Sequence, residues 1–551
     1  MFNQETNGLH QAAFLLGVFA FASQLLALFR DKLLAYTFGA GSHLDLYYAA
    51  FRIPDFLFVT IGSLVSLSVL IPFLIVQYEK GIDETKRFVD SVFTLFLLCI
   101  SSASLLFICF APHIISFVFP GFSFSEKKEV VSMMRILLFS PIFLGISNMY
   151  GSLTQSKHRF LVYSLSPLLY NVGIIVGITL FYPIFGMQGL VYGVVLGALL
   201  HALIQLPTVF HLELLPKITL SPDFRLVKEL FLHAFPRTLT LSASHIAIFF
   251  LLSFASFMNP GSIAVFSLAF NLQSVPLSIF GVSYSMAAFP TLSRLSAKGD
   301  KEHFLSHFIS SAQQILFWVI PSSVLFIVLR AHIVRVVLGA GQFDWSATRL
   351  TAAVLALFCV SLVFQSLTLL FVRGLYALGQ TGRPFYITII SNAVIIAVSF
   401  GCIQLFTTVP LFQYFIESLL KISDIEGSVV TMLALGFTLG SIIEGVWIWF
   451  LFRKLCSGFS KPLIKSLFRI SSAGIVMGFV TFLSLRVLGP LFGLTTFWAV
   501  FSQAVISGLV GIIAGVIILS ILKSPELYSA THSIKKKFWK TSIVSPDSEL
   551  V

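Results

Sequence analysis

Ionisable and strongly polar side chains are rare inside the apolar stretches of this sequence. In the first half they are Gln24, Arg30, Asp31, Asp45, Arg52 and Asp55, and in the second Arg237, His245, Asn271, Gln273 and Glu444. Such groups are costly in an apolar run, so they face a water-filled cavity or another helix and mark a pathway or a binding site. Arginine is the informative type. Its guanidinium stays charged, and its planar fork of N–H donors holds phosphate or carboxylate through two hydrogen bonds at once. Arg52 and Arg237 are therefore expected to suit an anionic ligand, while Arg30, Gln24, Asn271 and Gln273 are among the polar residues expected to face a cavity or another helix. Arg237 follows Pro236 and Arg52 lies two residues before Pro54, places where a broken helix opens a polar surface. Arg135, Arg349 and Arg373 fall near the ends of apolar runs, where long side chains snorkel to the interface.

The same inventory argues against other chemistry. There is no HExxH, GxSxG or phosphate-binding loop motif, so neither a metallohydrolase, a serine hydrolase nor a nucleotidase is indicated. Cys99, Cys109, Cys359, Cys402 and Cys456 stand singly, without CxxC spacing, and read as packing residues. No cofactor and no metal site is expected. The net charge of +12 comes from Lys and Arg scattered between apolar runs rather than gathered into a groove-sized patch, so no nucleic acid partner is indicated.

The elements that must position these residues are membrane-spanning helices. Hydrophobic residues make up 57% of the chain, charged ones 11%, and 60 of the 551 residues are phenylalanine. About 20 apolar residues cross a bilayer as a helix, because lipid offers no partner for free backbone groups. The expected fold is an all-α polytopic membrane protein of about fourteen spans near 9–29, 46–78, 88–118, 131–153, 160–182, 187–211, 231–256, 261–290, 304–338, 347–376, 385–406, 429–452, 467–488 and 495–522. The first ten residues lack a basic region, so the first span is expected to act as its own insertion signal. Alternate connections carry only Arg30, Lys32, Lys127, Lys128, Arg330, Arg335, Lys421 and Arg486, whereas the other set is richer and ends in Lys535, Lys536, Lys537 and Lys540. The richer set is cytoplasmic by the positive-inside rule, which places both termini in the cytoplasm. The basic tail lies where it could also meet anionic lipid.

An internal repeat organises the spans. Gly41-Ser42 matches Gly261-Ser262, Phe51-Arg52 matches Phe270-Asn271 and Pro72 matches Pro290, at separations of 220, 219 and 218. Asn171 pairs with Asn392 at 221. Six spans per copy, in the same orientation, imply two lobes that rock about a midplane site. The expected divisions are an N-terminal lobe at 1–216, a C-terminal lobe at 217–456, two added spans at 457–523 and a basic tail at 524–551. Pro54, Pro72, Pro141, Pro276, Pro290 and Pro321 interrupt apolar runs, and Gly62, Gly145, Gly281 and Gly374 add further weak points where helices bend. Residues 407–428 read as a loop carrying a short amphipathic helix, LFQYFIESLLKI.

The stretch ASQLLALFRDKLLAYTFGAGSHLDLYYAAFRIPDFLF (22–58) resembles the opening pattern of the MurJ/MviN lipid II flippases, within the superfamily of multidrug and polysaccharide-lipid exporters. Its RD, FGAG, D and FRIPD elements fit, and GSIAVFSLAFNLQSVPLSIFGVSYSMAAFPTLSRL (261–295) is similar to the family as well. The resemblance implies two six-helix lobes around a cationic cavity and two extra helices forming a groove for a polyprenyl tail. It also implies alternating access in the bacterial cytoplasmic (inner) membrane, carrying lipid II outward for cell-wall synthesis. Arg30 and Arg52 then line the cavity, while Asp31, Asp45, Gly39, Gly41, Pro54 and Pro276 serve gating or structure. Where the family carries further basic residues this chain has Gln24, Phe58 and Asn271, and Arg237 is expected to restore a cation to the second lobe. The departures keep another polyprenyl-pyrophosphate glycan in view as substrate. A drug exporter would want acidic cavity residues. The driving force is left between a coupling cation and the membrane potential.

Overall fold

In the computed structural model of the chain, which describes residues 9–65, 67–157, 159–380, 382–492, 496–529 and 531, every regular element is a helix. The first half runs α1 (Leu9–Phe38), α2 (Ser42–Ile61), α3 (Leu67–Lys80), α4 (Ile82–Val118), α5 (Phe124–Leu137), α6 (Ser140–Ser156), α7 (Phe160–Val176), α8 (Tyr182–Phe185), α9 (Met187–Leu203) and α10 (Leu206–His211). The second runs α11 (Phe224–Ala255), α12 (Ser262–Pro276), α13 (Ser283–Ala297), α14 (Lys301–Val328), α15 (Arg330–Val337), α16 (Trp345–Ala377), α17 (Gly382–Thr408), α18 (Pro410–Leu420) and α19 (Val430–Leu455). The added pair is α20 (Ser460–Phe492) and α21 (Phe497–Ile521).

Among the described residues, 11 helices are long and apolar enough to cross a membrane, and each coincides with an expected span. The chain is a multi-pass membrane protein. The other three expected spans fall on α1, on α2 with α3, and on α11. The span expected at 46–78 is not one helix: α2 stops at Ile61, Gly62–Val65 forms a 3₁₀ turn and α3 resumes at Leu67. At Gly62 a Cβ would come within 2.8 Å of the Phe58 ring, so the tighter turn is built on a residue that lets the ring lie over the backbone. The second copy breaks at the corresponding place, but in the opposite sense. After Pro276 the helix widens into a π turn, Leu277–Val282, before α13 continues. Proline removes a ladder hydrogen bond and so seeds such a break.

The repeat also shows in the side-chain ties. Asn171 on α7 donates to Ser23 on α1 (3.4 Å), and Asn392 on α17 donates to the Ala243 carbonyl of α11. Each tie joins the fifth expected span of its half to the first. In the first half, α7 and α9 pack backbone to backbone through glycine: a Cβ on Gly173 would lie 2.2 Å from the Gly197 Cα, and one on Gly193 would lie 2.3 Å from the Gly177 Cα. Small residues at such spacing let helices approach closely where no hydrophobic effect drives them together.

The chain divides into two compact units. One comprises Met1–Val275, Val334–Phe358 and Gln380–Glu444, and the other Pro276–Ile333, Cys359–Gly379 and Gly445–Val551. The first unit contains α1–α12, α17 and α18; the second contains α13, α14, α20 and α21. The expected lobe boundaries follow the sequence repeat, whereas these units interleave segments of the second half. Within the second unit, Phe308, Phe371, Phe452 and Phe459 form one ring cluster, with Phe308 stacked on Phe452 at 4.4 Å. Beyond α21, Glu526 turns back inward to accept from Arg469 at 2.6 Å and from Ser466 and Ser524 at 2.6 and 2.7 Å. The tail lysines Lys535, Lys536, Lys537 and Lys540 lie outside the described residues.

Candidate anion-binding site

The site is built within the first unit, where helices of the first half meet α12 of the second. Gly39 closes α1 in the left-handed region (φ 62°), and a Cβ there would lie 2.7 Å from the Gln342 carbonyl oxygen. The Gly41 carbonyl then accepts the Leu44 and Asp45 N–H groups and starts α2. Opposite, Gly261 (φ 94°) precedes α12, with the Ala40 carbonyl oxygen 2.0 Å from where its Cβ would stand. Only glycine permits that approach of two backbones.

The approach brings the N-termini of α2 and α12 to one carboxylate. Buried Asp45 sits in the first turn of α2, and its oxygens accept the Gly261 N–H at 2.6 Å and the Ala264 N–H at 2.7 Å. It is thus a helix cap supplied from the other half of the repeat. The positive ends of two helix dipoles favour the negative charge there.

Seven residues on, and so two turns along one face of α2, lies Arg52. Its Nη2 donates to Ser267 Oγ on α12 at 3.3 Å, while its buried Nε has no hydrogen-bond partner among the described residues. Asp55 follows one turn later, and buried Pro54 lies between the two. Further down α2, Thr60 shares a hydrogen bond of 3.0 Å with Ser242 of α11.

Arg30 is placed differently. Its Nε and Nη2 both donate to Asp31 Oδ1, at 2.9 and 2.7 Å, and its Nη1 donates to Asn171 Oδ1 at 3.0 Å. Asp31 Oδ2 accepts from Asn271 Nδ2 at 3.2 Å. A polar chain Asn171–Arg30–Asp31–Asn271 therefore runs from α7 through α1 to α12. Each nitrogen of Arg30 donates a hydrogen bond, whereas Arg52 holds its Nε–H spare. A buried unpaired donor costs about 1–3 kcal/mol, so Arg52 is the group with most to gain from an incoming anion.

The structure brings together Arg30, Asp31, Asp45, Arg52 and Asn271 along this seam. Gln24 lies on α1, half-buried, two turns before Asp31. Gln273 is buried two residues past Asn271, about 200° round the helix, and so on a different face. Pro276 ends α12 at the π turn. The side chain of Arg237, on α11, lies outside the described residues. His245 on α11 and Glu444 on α19 are half-buried.

Two arginines expected to snorkel are instead ties. Arg349 grips Asp424 through both carboxylate oxygens (2.6 and 2.7 Å) and also donates to the Lys421 carbonyl. The hydrogen bond from Arg349 holds the Asp424 carboxyl below the usual range. Arg373 donates to the Val282 carbonyl at 3.0 Å and to Ser285 Oγ at 2.5 Å, bracing the end of the π turn. Sequence reasoning missed Ser267 and the two backbone amides under Asp45. A serine in an apolar run carries no signal, and amides carry none at all.

Comparison with known proteins settles the family. The family model described as lipid II flippase MurJ matches residues 34–507. The chain belongs to the MurJ lipid II flippase family. A probable lipid II flippase MurJ of Thermotoga maritima is 29% identical over 475 residues, covering 80% of this chain and 95% of the relative. One from Borreliella burgdorferi is 27% identical over 493 residues, covering 85% and 94%. A solved MurJ structure in an inward closed conformation has the same fold, with a TM-score of 0.73 at 24% identity over 92% of this chain and 99% of that one. An inward-facing multidrug transporter of the MATE family also shares the fold (TM-score 0.64, 16% identity, 80% of this chain and 96% of that one). The MurJ match includes Asp45, Arg52, Ser267 and Asn271, so the α2–α12 seam lies inside the part of the chain that defines the family.

Proposed function

We propose that this chain is a lipid II flippase of the bacterial cytoplasmic membrane, moving the lipid-linked disaccharide-pentapeptide from the inner to the outer leaflet by alternating access. Family membership supports the substrate. The observation that carries the mechanism is Arg52, a half-buried cation whose buried Nε is a spare donor, held by one long bond to Ser267 across a seam between repeat-related helices.

A pyrophosphate reaching this seam displaces Ser267 from Arg52 and competes with Asp31 for the fork of Arg30. Both contacts are charge-assisted and bidentate in reach. Because Asp31 also holds Asn271, drawing Arg30 away loosens the tie between α1 and α12. Binding and release of the seam are coupled in this way. With both termini cytoplasmic, the Gly39–Gly41 turn after the first span lies on the outer side, and the Asp45 cap is the outer gate in its closed state. The polyprenyl tail stays in lipid along α20 and α21, outside the two six-helix lobes. Arg237 supplies the second lobe's cation. Arginines that move with the seam feel the membrane potential, at most about 2.3 kcal/mol per charge per 100 mV, so the potential stands beside a coupling cation as a driving force.

The test is rescue of cells depleted of their own MurJ, scored by survival and outer-leaflet lipid II. Wild type is expected to rescue and Arg30→Ala and Arg52→Ala to fail. A well-expressed wild-type chain that does not rescue refutes lipid II as substrate. Full rescue by Arg237→Ala while the other two fail removes Arg237 from the site.

A further inference from the structure

The connection between α17 and α19 carries a helix whose outward face matches neither water nor protein. In α18, Leu411 is 78% exposed, Tyr414 68%, Phe415 58% and Leu419 61%. Their spacing of three and four residues puts them on one stripe. The opposite side is fully used. Ile416 and Leu420 are buried, Gln413 donates to Glu417, and Glu417 accepts from Ser428 at 2.7 Å. Lys421 ends the helix in the left-handed conformation, and Arg349 of α16 clamps its carbonyl together with Asp424.

Position names the occupant of that face. One residue, Val409, separates α18 from α17, so the helix begins where a membrane-crossing helix leaves the bilayer. Phe400 and Leu405 near the end of α17 and the linking Val409 are themselves apolar and exposed, as are the α18 residues that follow them in the chain. Exposed apolar residues on a membrane-crossing helix face lipid, and α18 starts within one residue of that helix's end. We infer that α18 is a membrane-surface helix whose Leu411, Tyr414, Phe415 and Leu419 rest in the headgroup–acyl boundary of the leaflet at the gate end of the molecule.

The placement has a consequence for the gate. The loop after α18 (Ile425, Glu426, Gly427) lines a cavity of about 280 Å³ together with the Gly39–Gly41 turn and the Asn259–Ser262 turn that Asp45 caps. The bilayer surface thus bears, through α18 and the Arg349 clamp, on the rim of the gate. The inference needs the chain to span a membrane but does not depend on which lipid it carries.

The experiment uses the full chain with Cys99, Cys109, Cys359, Cys402 and Cys456 replaced. Leu411→Cys, Phe415→Cys and, on the polar side, Gln413→Cys are each labelled with a small environment-sensitive fluorophore. The proteins are reconstituted in phosphatidylcholine–phosphatidylglycerol vesicles containing nitroxide lipids. A surface helix sinks roughly 5–10 Å below the headgroups. The labels at 411 and 415 are therefore expected to be quenched more by a nitroxide near the headgroup than by one near the chain end, and to resist aqueous iodide. The label at 413 is expected to show less lipid quenching than either. Iodide quenching at 411 and 415 overturns the inference in favour of a solvated helix. Protection from both quenchers overturns it in favour of a covering protein or second copy.

Discussion

Removing the Asp45 carboxylate is expected to open the gate that the proposed topology places on the outer side. In the closed seam its two oxygens take the Gly261 and Ala264 amides at 2.6 and 2.7 Å, both buried. A hydrogen bond to a charged group contributes about 1.5–3 kcal/mol net, so the pair contributes at least roughly 3 kcal/mol. In an open seam water reaches those amides, so the loss falls on the closed state. At about 1.4 kcal/mol per factor of ten, Asp45→Ala shifts the closed-to-open ratio on the order of 100-fold. Asp45→Asn keeps one acceptor oxygen and loses the charge, so a shift of roughly tenfold is expected for half the energy. The reporter is Val265→Cys in a cysteine-free background, since Val265 is buried against the cap. Intact cells are treated with a membrane-impermeant thiol reagent and the labelling rate is followed. The order Ala above Asn above Asp is expected. Equal rates for all three would refute the assignment of Asp45 as the latch.

Three further outcomes follow from other parts of the fold. Gly193→Leu is expected to abolish folded protein, because a Cβ there already meets the Gly177 Cα at 2.3 Å, while Gly401→Leu, with nothing within 4 Å, is expected to be tolerated; monodispersity on size-exclusion chromatography reads both. Burial alone would raise the Glu526 carboxyl, but hydrogen bonds from Ser466, Ser524 and Arg469 outweigh it and hold it below its ordinary value. A depressed carboxyl contributes stability above its unfolded value and loses it as pH falls through the folded one. The melting-temperature gap between wild type and Glu526→Gln is therefore expected to be widest at neutral pH and to close below about pH 4.3. Asn271→Ala frees Asp31 Oδ2 from α12 and is expected to weaken the closed seam by about 1.5 kcal/mol, the low end for a bond to a charged group, seen as faster labelling of the same Val265→Cys reporter.

Much of this was legible in the sequence because membrane helices announce themselves through length and hydropathy. The arginines, Asp31, Asp45 and Asn271 stood out because a polar group in an apolar run is rare enough to notice. Their relations did not. Gly41 and Gly261 were visible as repeat mates, yet the repeat gives Asp45 no counterpart, since the residue 220 positions on is Val265. Its role as a cap across the halves depends on an approach of two backbones that no side-chain pattern encodes. Gly62 and Gly281 were read as weak points, but hydropathy cannot say that one break tightens to a 3₁₀ turn and the other widens to a π turn. Arg349 and Arg373 misled for a related reason. Nearness to a span end suggests snorkelling, whereas their partners come from distant segments, Asp424 for one and Ser285 for the other.

The most direct test of the central claim is movement of lipid II itself. Purified chain is reconstituted into vesicles with fluorescently tagged lipid II, and an impermeant reductant added outside reports transfer between leaflets. Wild type is expected to move the tagged lipid, and Arg52→Ala, folded and inserted equally well, to move it no faster than protein-free vesicles. Transfer by Arg52→Ala at the wild-type rate would contradict the account.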